Sequence, residues 1–332
     1  LIKKLLYILL FILLYLPYVT VGQDTAVSGL PKPEKATIEW YATISSNNSD
    51  NGERFLKKMG NILFGSAPPL FKRPVSVFAT DTSNIWIADQ GNGEIIHTGI
   101  SLKSKRSRFN QREQKISSLA SITAFGNGEV LFTDSSDGSI NIRVNGTSNR
   151  KLNETMPLNQ PTGIAYNKST EEIWVLETKA HKVTLLDRNF NIIKSFGTRG
   201  TKPGEYNYPT HIWIDNEGKA YISDAMNHRI QILNSSGEFE MEFGELGDAT
   251  GYFARPKGVA TDSKGNIYVA DALFHMIQVF DKSGVFLLYF GGQGDKDGQF
   301  WMPNGICIDN DDFLYIADSY NSRIQIFKIE YR

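Results

Sequence analysis

The sequence predicts an all-β fold: a six-bladed β-propeller of four-stranded antiparallel blades, closed by an N-terminal strand that joins the last blade. Three observations carry this. The first is a period. Pro209, Pro256 and Pro303 stand forty-seven residues apart, and so do Asp224, Asp271 and Asp318, and Gln231, Gln278 and Gln325; a constant step of this size marks a stacked repeat. The second is that one period, Gly251 to Gly291, reads as strand throughout. GVATD, NIYVA, MIQVF and VFLLYF are short, β-branched or aromatic runs, separated by the turn sequences SKG and DKSG, with no helical periodicity. The third is a count. A proline-to-acid spacing of about fifteen residues recurs as Pro74 to Asp89, Leu119 to Asp134, Pro161 to Glu177, Pro209 to Asp224, Pro256 to Asp271 and Pro303 to Asp318, the first three units being degenerate. A lone four-stranded sheet cannot cover both of its faces, whereas six arranged radially can.

The elements follow in order. Residues 1–22 place Lys3 and Lys4 before the uncharged apolar run Leu5 to Val21, with small residues at Thr20 and Gly22. This is the pattern of a secretory signal, and an uncleaved anchor is the other reading of the same run. Either places the rest of the chain outside the cytoplasm, periplasmic or secreted. Residues 23–36 are polar, with Pro31 and Pro33, and read as a linker. Thr37 to Ser45 (TIEWYATIS) has strand composition, and 53–64 (ERFLKKMGNILF) spaces its apolar residues as a short helix. The propeller takes residues 73–332.

The chain is short of one strand at its C-terminus. Arg323 to Phe327 is the third strand of the sixth unit, and the five residues left cannot form a turn and a fourth. An open edge is a liability that closure removes. Thr37 to Ser45 is the spare strand and is expected to complete that blade, with Asn61 to Gly65 as the competing segment.

Units such as PKGVATDSKGNIYVADALFHMIQVF and PNGICIDNDDFLYIADSYNSRIQIF resemble NHL repeats, strongly in the last three units and weakly in the first two. The layout of leader, IEWYATIS-like strand, short helix and six units is similar to the extracytoplasmic NHL-repeat proteins of bacteria. The resemblance implies a six-bladed propeller. It implies no reaction, since NHL propellers generally bind proteins and some bind RNA, while one relative in fold, the peptidyl-hydroxyglycine α-amidating lyase, is a metal enzyme.

Chemistry particular to one blade is expected where the repeat breaks. The first strand of each blade lines the axis, so the residues after the proline position form a ring: Val75, Ala120, Thr162, Thr210, Lys257 and Asn304. The next ring is Ser76, Ser121, Gly163, His211, Gly258 and Gly305. Neither contains a carboxylate, which disfavours a catalytic calcium ion. His181, His228 and His275 share one repeat position just before the third strand, which lies roughly 16 Å from the axis given strands about 4.8 Å apart, too far out to share a zinc ion. The recurring aspartates read as scaffold that accepts turn hydrogen bonds, and Arg229, Arg323 and the glutamines as solvated or interblade groups. Cys307 is expected to be a buried, inert thiol. One cysteine excludes an internal disulfide. A net charge of −1 gives no case for a nucleic-acid partner, and no phosphate loop or nucleophile elbow is present.

The symmetry-breaking residues are Arg73, Lys179, Met226, Arg255, Lys257, Leu273, Phe274, Trp301 and Tyr320, with Thr162, Thr210, His211 and Asn304 at the channel mouth. Mixed aromatic, aliphatic and basic groups suit a protein, peptide or glycan partner. The expectation is a monomeric binding or scaffold propeller that recognises its partner through this rim, without cofactor or metal, and reaches a membrane only through its N-terminal segment. The alternative is a metal-dependent hydrolase or lyase with its site in the axial channel.

Overall fold

The computed structural model describes residues 36–45, 70–100, 116–126, 128–144, 148–153 and 156–331. The leader, the linker as far as 35, the 53–64 helix and the Asn61 to Gly65 segment lie outside them. The first described strand, β1 (Ala36–Ile44), belongs by pairing to the last blade. Blade 1 contributes β2 (Pro74–Asp81), β3 (Asn84–Asp89) and β4 (Glu94–Thr98), three strands among the described residues. Blade 2 is β5 (Leu119–Gly126), β6 (Glu129–Asp134), β7 (Ser139–Val144) and β8 (Ser148–Lys151). Blade 3 is β9 (Pro161–Asn167), β10 (Glu172–Glu177), β11 (Lys182–Leu186) and β12 (Ile192–Phe196). Blade 4 is β13 (Pro209–Ile214), β14 (Ala220–Asp224), β15 (Arg229–Leu233) and β16 (Phe239–Phe243). Blade 5 is β17 (Pro256–Thr261), β18 (Ile267–Asp271), β19 (Met276–Phe280) and β20 (Phe286–Gly291).

Blade 6 is ordered β1, β23 (Arg323–Tyr331), β22 (Phe313–Asp318), β21 (Pro303–Ile308), so the N-terminal strand does complete it. The residues after Phe327 extend the third strand instead of turning. Thr37 Oγ1 donates to the Glu330 carbonyl at 3.4 Å, and Ile44 is buried in the cluster that holds Ile324 and Ile326. That cluster also takes Val77, Ile85 and Ile87 from blade 1, so the closing strand is packed into the joint where the ring shuts. Full burial of one isoleucine is worth about 2–3 kcal/mol.

Burial explains the strand compositions. β18 (IYVAD) and β22 (FLYIAD) lie between two neighbouring blades and are buried on both faces, all but Phe313, which gives continuous apolar runs. The outer strands β16 and β20 keep mainly exposed and half-buried residues. Apolar clusters fill the joints between successive blades, for instance Trp174, Leu176 and Val183 of blade 3 against Ile222 and Leu233 of blade 4.

The proline-to-acid motif is a cross-strand pair in every blade: Pro74 opposite Asp89, Leu119 opposite Asp134, Pro161 opposite Glu177, Pro209 opposite Asp224, Pro256 opposite Asp271 and Pro303 opposite Asp318. In all six the register slips immediately after the proline position. A bulge there re-aims the next side chain. The glycine that follows has a separate reason. A Cβ on Gly258 would stand 2.5 Å from the Asn304 carbonyl oxygen, and one on Gly305 2.7 Å from the Ser76 Cα. Inner strands crowd near the axis, and these positions face the next blade's backbone.

Candidate functional site

Each inner strand starts at a proline, so one rim of the propeller is built from the residues just before the prolines and just after the acids. The acids hold it in place. Asp271 accepts from the backbone N–H of Ala254 (2.7 Å), Arg255 (3.1 Å), Leu273 (3.1 Å) and Phe274 (3.2 Å). Asp318 accepts from Trp301 N–H at 2.7 Å, and Tyr320 N–H donates to the Trp301 carbonyl at 3.1 Å. Burial holds the Asp271 carboxyl above its ordinary value, and its four backbone donors offset this only in part. These aspartates are scaffold, and what they position is the rim that carries the symmetry-breaking residues.

The arginines and glutamines are not solvated, as one sequence reading had them. Arg229, Arg323, Gln231 and Gln325 are buried, and they anchor the loop that enters their own blade. Arg323 donates to Asp318 (2.7 Å) and to the carbonyls of Asp295, Lys296 and Gln299, and Gln325 donates to Gln299 and accepts from Gly298 N–H. Third-strand side chains reach this loop because it crosses the joint beside them. His181 and His275 serve the same joint from the blade before: their Nδ1 atoms accept from Tyr208 N–H at 3.1 Å and Met302 N–H at 3.0 Å. Both adopt positive φ, 55° and 57°. Cys307 is buried, and burial pushes its thiol up, out of the reactive range.

The predicted rim residues divide into three groups. Leu273 (50% exposed), Trp301 (47%) and Tyr320 (55%) are joined by Tyr208 (40%) and Met226 (57%) in an exposed crescent on blades 4 to 6. The Trp301 and Tyr320 rings lie 5.9 Å apart. Phe274 is half-buried beside them and Arg255 is exposed. Tyr208 was not among the residues selected from the sequence; comparing the position just before each proline would have found it. Arg73 and Lys179 are exposed on blades 1 and 3, away from the crescent; at the second position after the acid, blades 1 to 3 carry Gly91, Ser136 and Lys179 where blades 4 to 6 carry Met226, Leu273 and Tyr320. Arg73 donates to Gln90 at 2.6 Å.

The third group is axial. Thr162 is committed to the scaffold: Thr178 donates to the Pro209 carbonyl, so the 2.6 Å contact between the two hydroxyls uses the Thr162 proton. Thr210 Oγ1 lies 3.1 Å from His211 Nδ1. Burial pushes His211 down to about 3, the positive charge of Lys257 adds to this, and a side-chain hydrogen bond with Asn304 pulls the other way. Burial and then Arg255 lower Lys257 from 10.5 to about 8. Lys257 and Asn304 are both half-buried. Lys257 and Asn304, on the two blades that follow, thus both act on His211 near the axis.

A cavity of about 730 Å³ opens at the opposite end of the channel. His211 is shared by both ends. The cavity is lined by Phe78, Tyr166, Trp213 and Met241, and by the inner-strand ends at Asp215, Asp262 and Asp309. Sequence reading passed over this end because it followed the proline. The signal there is bulk: Phe78 and Trp213 occupy a position held elsewhere by Thr123, Ala165, Ala260 and Cys307. Its acids are already engaged. Asp215 accepts from Glu217 N–H, Lys219 N–H and the Tyr221 hydroxyl, and Asp309 from Asp311 N–H, Phe313 N–H and the Tyr315 hydroxyl. No three His, Cys, Asp or Glu side chains converge among the described residues.

With this geometry in place, comparison with known proteins is informative about the fold. The sequence model of the NHL repeat matches residues 253–280 and 300–327, so blades 5 and 6 carry NHL repeats. No curated protein sequence matches the chain. Among solved structures, an auxiliary nutrient binding protein from Bacteroides thetaiotaomicron superposes with a TM-score of 0.64 at 13% identity, covering 90% of this chain and 77% of that one. Virginiamycin B lyase from Staphylococcus aureus superposes with a TM-score of 0.57 at 15% identity, covering 89% and 99%. A binding protein and an enzyme share the architecture, so the fold alone does not choose between them.

Proposed function

We propose that this chain is a non-enzymatic binding propeller that works outside the cytoplasm and captures a protein, peptide or glycan partner on its proline-side rim. The observation that carries this is the crescent of Tyr208, Met226, Leu273, Trp301 and Tyr320, each at least 40% exposed on one half of the rim. Contiguous exposed apolar side chains edged by polar groups mark interaction sites, and aromatic residues supply the anchors. These side chains stand on backbone pinned by Asp271 and Asp318, so they meet a partner with little ordering left to lose. The apolar leader and the basic residues before it support the location.

The test is binding to peptide and glycan arrays by the wild-type chain and by a Trp301→Ala, Leu273→Ser variant. The two side chains make few buried contacts, so the melting temperature should hold while the array signal is lost. A variant that binds the same features with the same strength would refute the rim as the binding surface.

A further inference from the structure

The axial cavity away from the rim has uncharged walls, an aromatic slab and two hydroxyls without partners. The inner-strand segments 76–79, 121–124, 163–166, 211–214, 258–261 and 305–308, which wall this space of about 730 Å³, contain no Asp, Glu, Lys or Arg. Burial keeps the one histidine among them, His211, neutral. Ser121 and Thr123 share a face of β5. Both line the cavity, are only 9% and 7% exposed, and have hydroxyls that make no hydrogen bond to another described residue. Buried hydroxyls normally find a partner. The Ser76 hydroxyl, at the position of Ser121 one blade earlier, does so by accepting from Ile122 N–H at 3.3 Å. Trp213 supplies the slab. From blade 4 it packs against the cluster at the joint of blades 6 and 1 as well as that of blades 4 and 5, so its indole reaches across the axis. Its Nε1–H donates to Thr261 Oγ1 at 2.9 Å, which fixes the ring. Phe78, at the same level on the opposite blade, is half-buried and lines the cavity too.

These walls select by exclusion. An ion would give up its hydration and meet no counter-charge on them. A hydrocarbon would leave the hydroxyls of Ser121 and Thr123 unmet. A sugar ring answers both features. Its C–H face packs on a flat aromatic surface, and each of its hydroxyls donates and accepts, as those of Ser121 and Thr123 do. The volume lies within the range of small-molecule sites, whose walls are mainly apolar with a few placed polar groups. An indole already fixed by Thr261 loses little freedom when a ring stacks on it.

We propose that the axial cavity is a second binding site, for a neutral sugar ring, with the C–H face of the ring on Trp213 and its hydroxyl edge on Ser121 and Thr123. The ligand enters from the end opposite the rim crescent, where the cavity opens. The site shares no residue with the crescent and does not depend on it.

Calorimetric titration of the wild-type chain with glucose, galactose, mannose, xylose and N-acetylglucosamine tests it, with glucuronate, glucosamine and indole as counter-probes. At least one neutral sugar should saturate a single site at millimolar concentration or below, and the two charged sugars should bind at least about tenfold more weakly, as burial without a counter-charge implies. Ser121→Ala with Thr123→Val keeps the shape of the wall and should weaken the best-bound sugar at least about tenfold while the melting temperature holds, as loss of two hydrogen bonds implies. Trp213→Leu should abolish binding. The Trp301→Ala, Leu273→Ser variant should bind the sugar as the wild type does, which separates this site from the rim. No binding of any neutral sugar at millimolar concentration, glucuronate or glucosamine bound as tightly as the neutral sugars, indole bound in their place, or full affinity in the Ser121 and Thr123 variant would each overturn the proposal. Sugar binding lost in the rim variant but kept in the Ser121 and Thr123 variant would overturn it as well and leave the rim reading standing.

Discussion

Replacing Lys257 with methionine should stabilise the protein at neutral pH. The side chain keeps its length and loses its charge. Burial and Arg255 lower the folded-state ammonium from 10.5 to about 8, and at about 1.36 kcal/mol for each pH unit of displacement this costs the folded state about 3 kcal/mol below pH 8. Water in the channel reduces the penalty, so a gain of about 1–3 kcal/mol is expected for Lys257→Met at pH 7. The sign follows from proton counting. Between pH 8 and 10.5 the unfolded chain holds the proton and the folded chain does not, so the wild type gains stability as the pH rises through that window. The advantage of the variant is therefore largest at pH 7 and is gone above about pH 10.5. Guanidinium unfolding of both proteins at pH 7, 9 and 10.5, read by tryptophan fluorescence, measures it. A variant less stable than wild type at pH 7, or a difference that does not change with pH, would refute the picture of an uncompensated cation. A residue that costs stability where it stands is the pattern of a binding site.

The other predictions are structural. His211 is held neutral down to about pH 3 against an ordinary value of 6.5, so the unfolded chain binds the extra proton first and stability falls as the pH drops through that window. His211→Asn should remove about 1.4 kcal/mol per pH unit of acid sensitivity over that range, measured as the difference in unfolding free energy between variant and wild type at pH 6.5, 5 and 4. Asp224→Ala should cost about 3–5 kcal/mol, the usual cost of stranding a buried partner. It removes the acceptor for Arg229 (2.9 Å), Asn227 (2.8 Å), Gln231 (3.2 Å) and Asn207 N–H (2.6 Å) and leaves the buried Arg229 without that partner; urea unfolding measures it. Gly258→Ala should destabilise by about 2 kcal/mol or more, as overpacking does, because its Cβ would meet the backbone of the next blade at 2.5 Å; an unchanged melting temperature would show that the two inner strands can part.

Much of the architecture could be read from the chain alone, because a repeat writes its constraints into the sequence once per blade. The forty-seven-residue step, the proline-to-acid pair and the missing C-terminal strand follow from rules that act locally: strand alternation, turn chemistry and the need to close an edge. The scaffold role of Asp271 and Asp318 was legible for the same reason, since a symmetric position does the same job in each blade. The buried work of Arg229, Arg323 and Gln231 was not, because the loop they anchor is brought to them only when one blade's exit crosses its neighbour's third strand. Nor could the sequence tell that Thr162 is committed to Thr178, or that Lys257 and Asn304 both act on His211. A side chain's partners and its desolvation depend on which blades converge on the axis, and that convergence exists only in the closed ring. The sequence by itself determined the propeller, its closure and the rim on which the symmetry fails. Tertiary structure decided which rim residues form one exposed crescent, and that Lys257, His211 and Asn304, on three blades, share the mouth of one channel, since only six strands packed about an axis bring such distant residues within reach of one another.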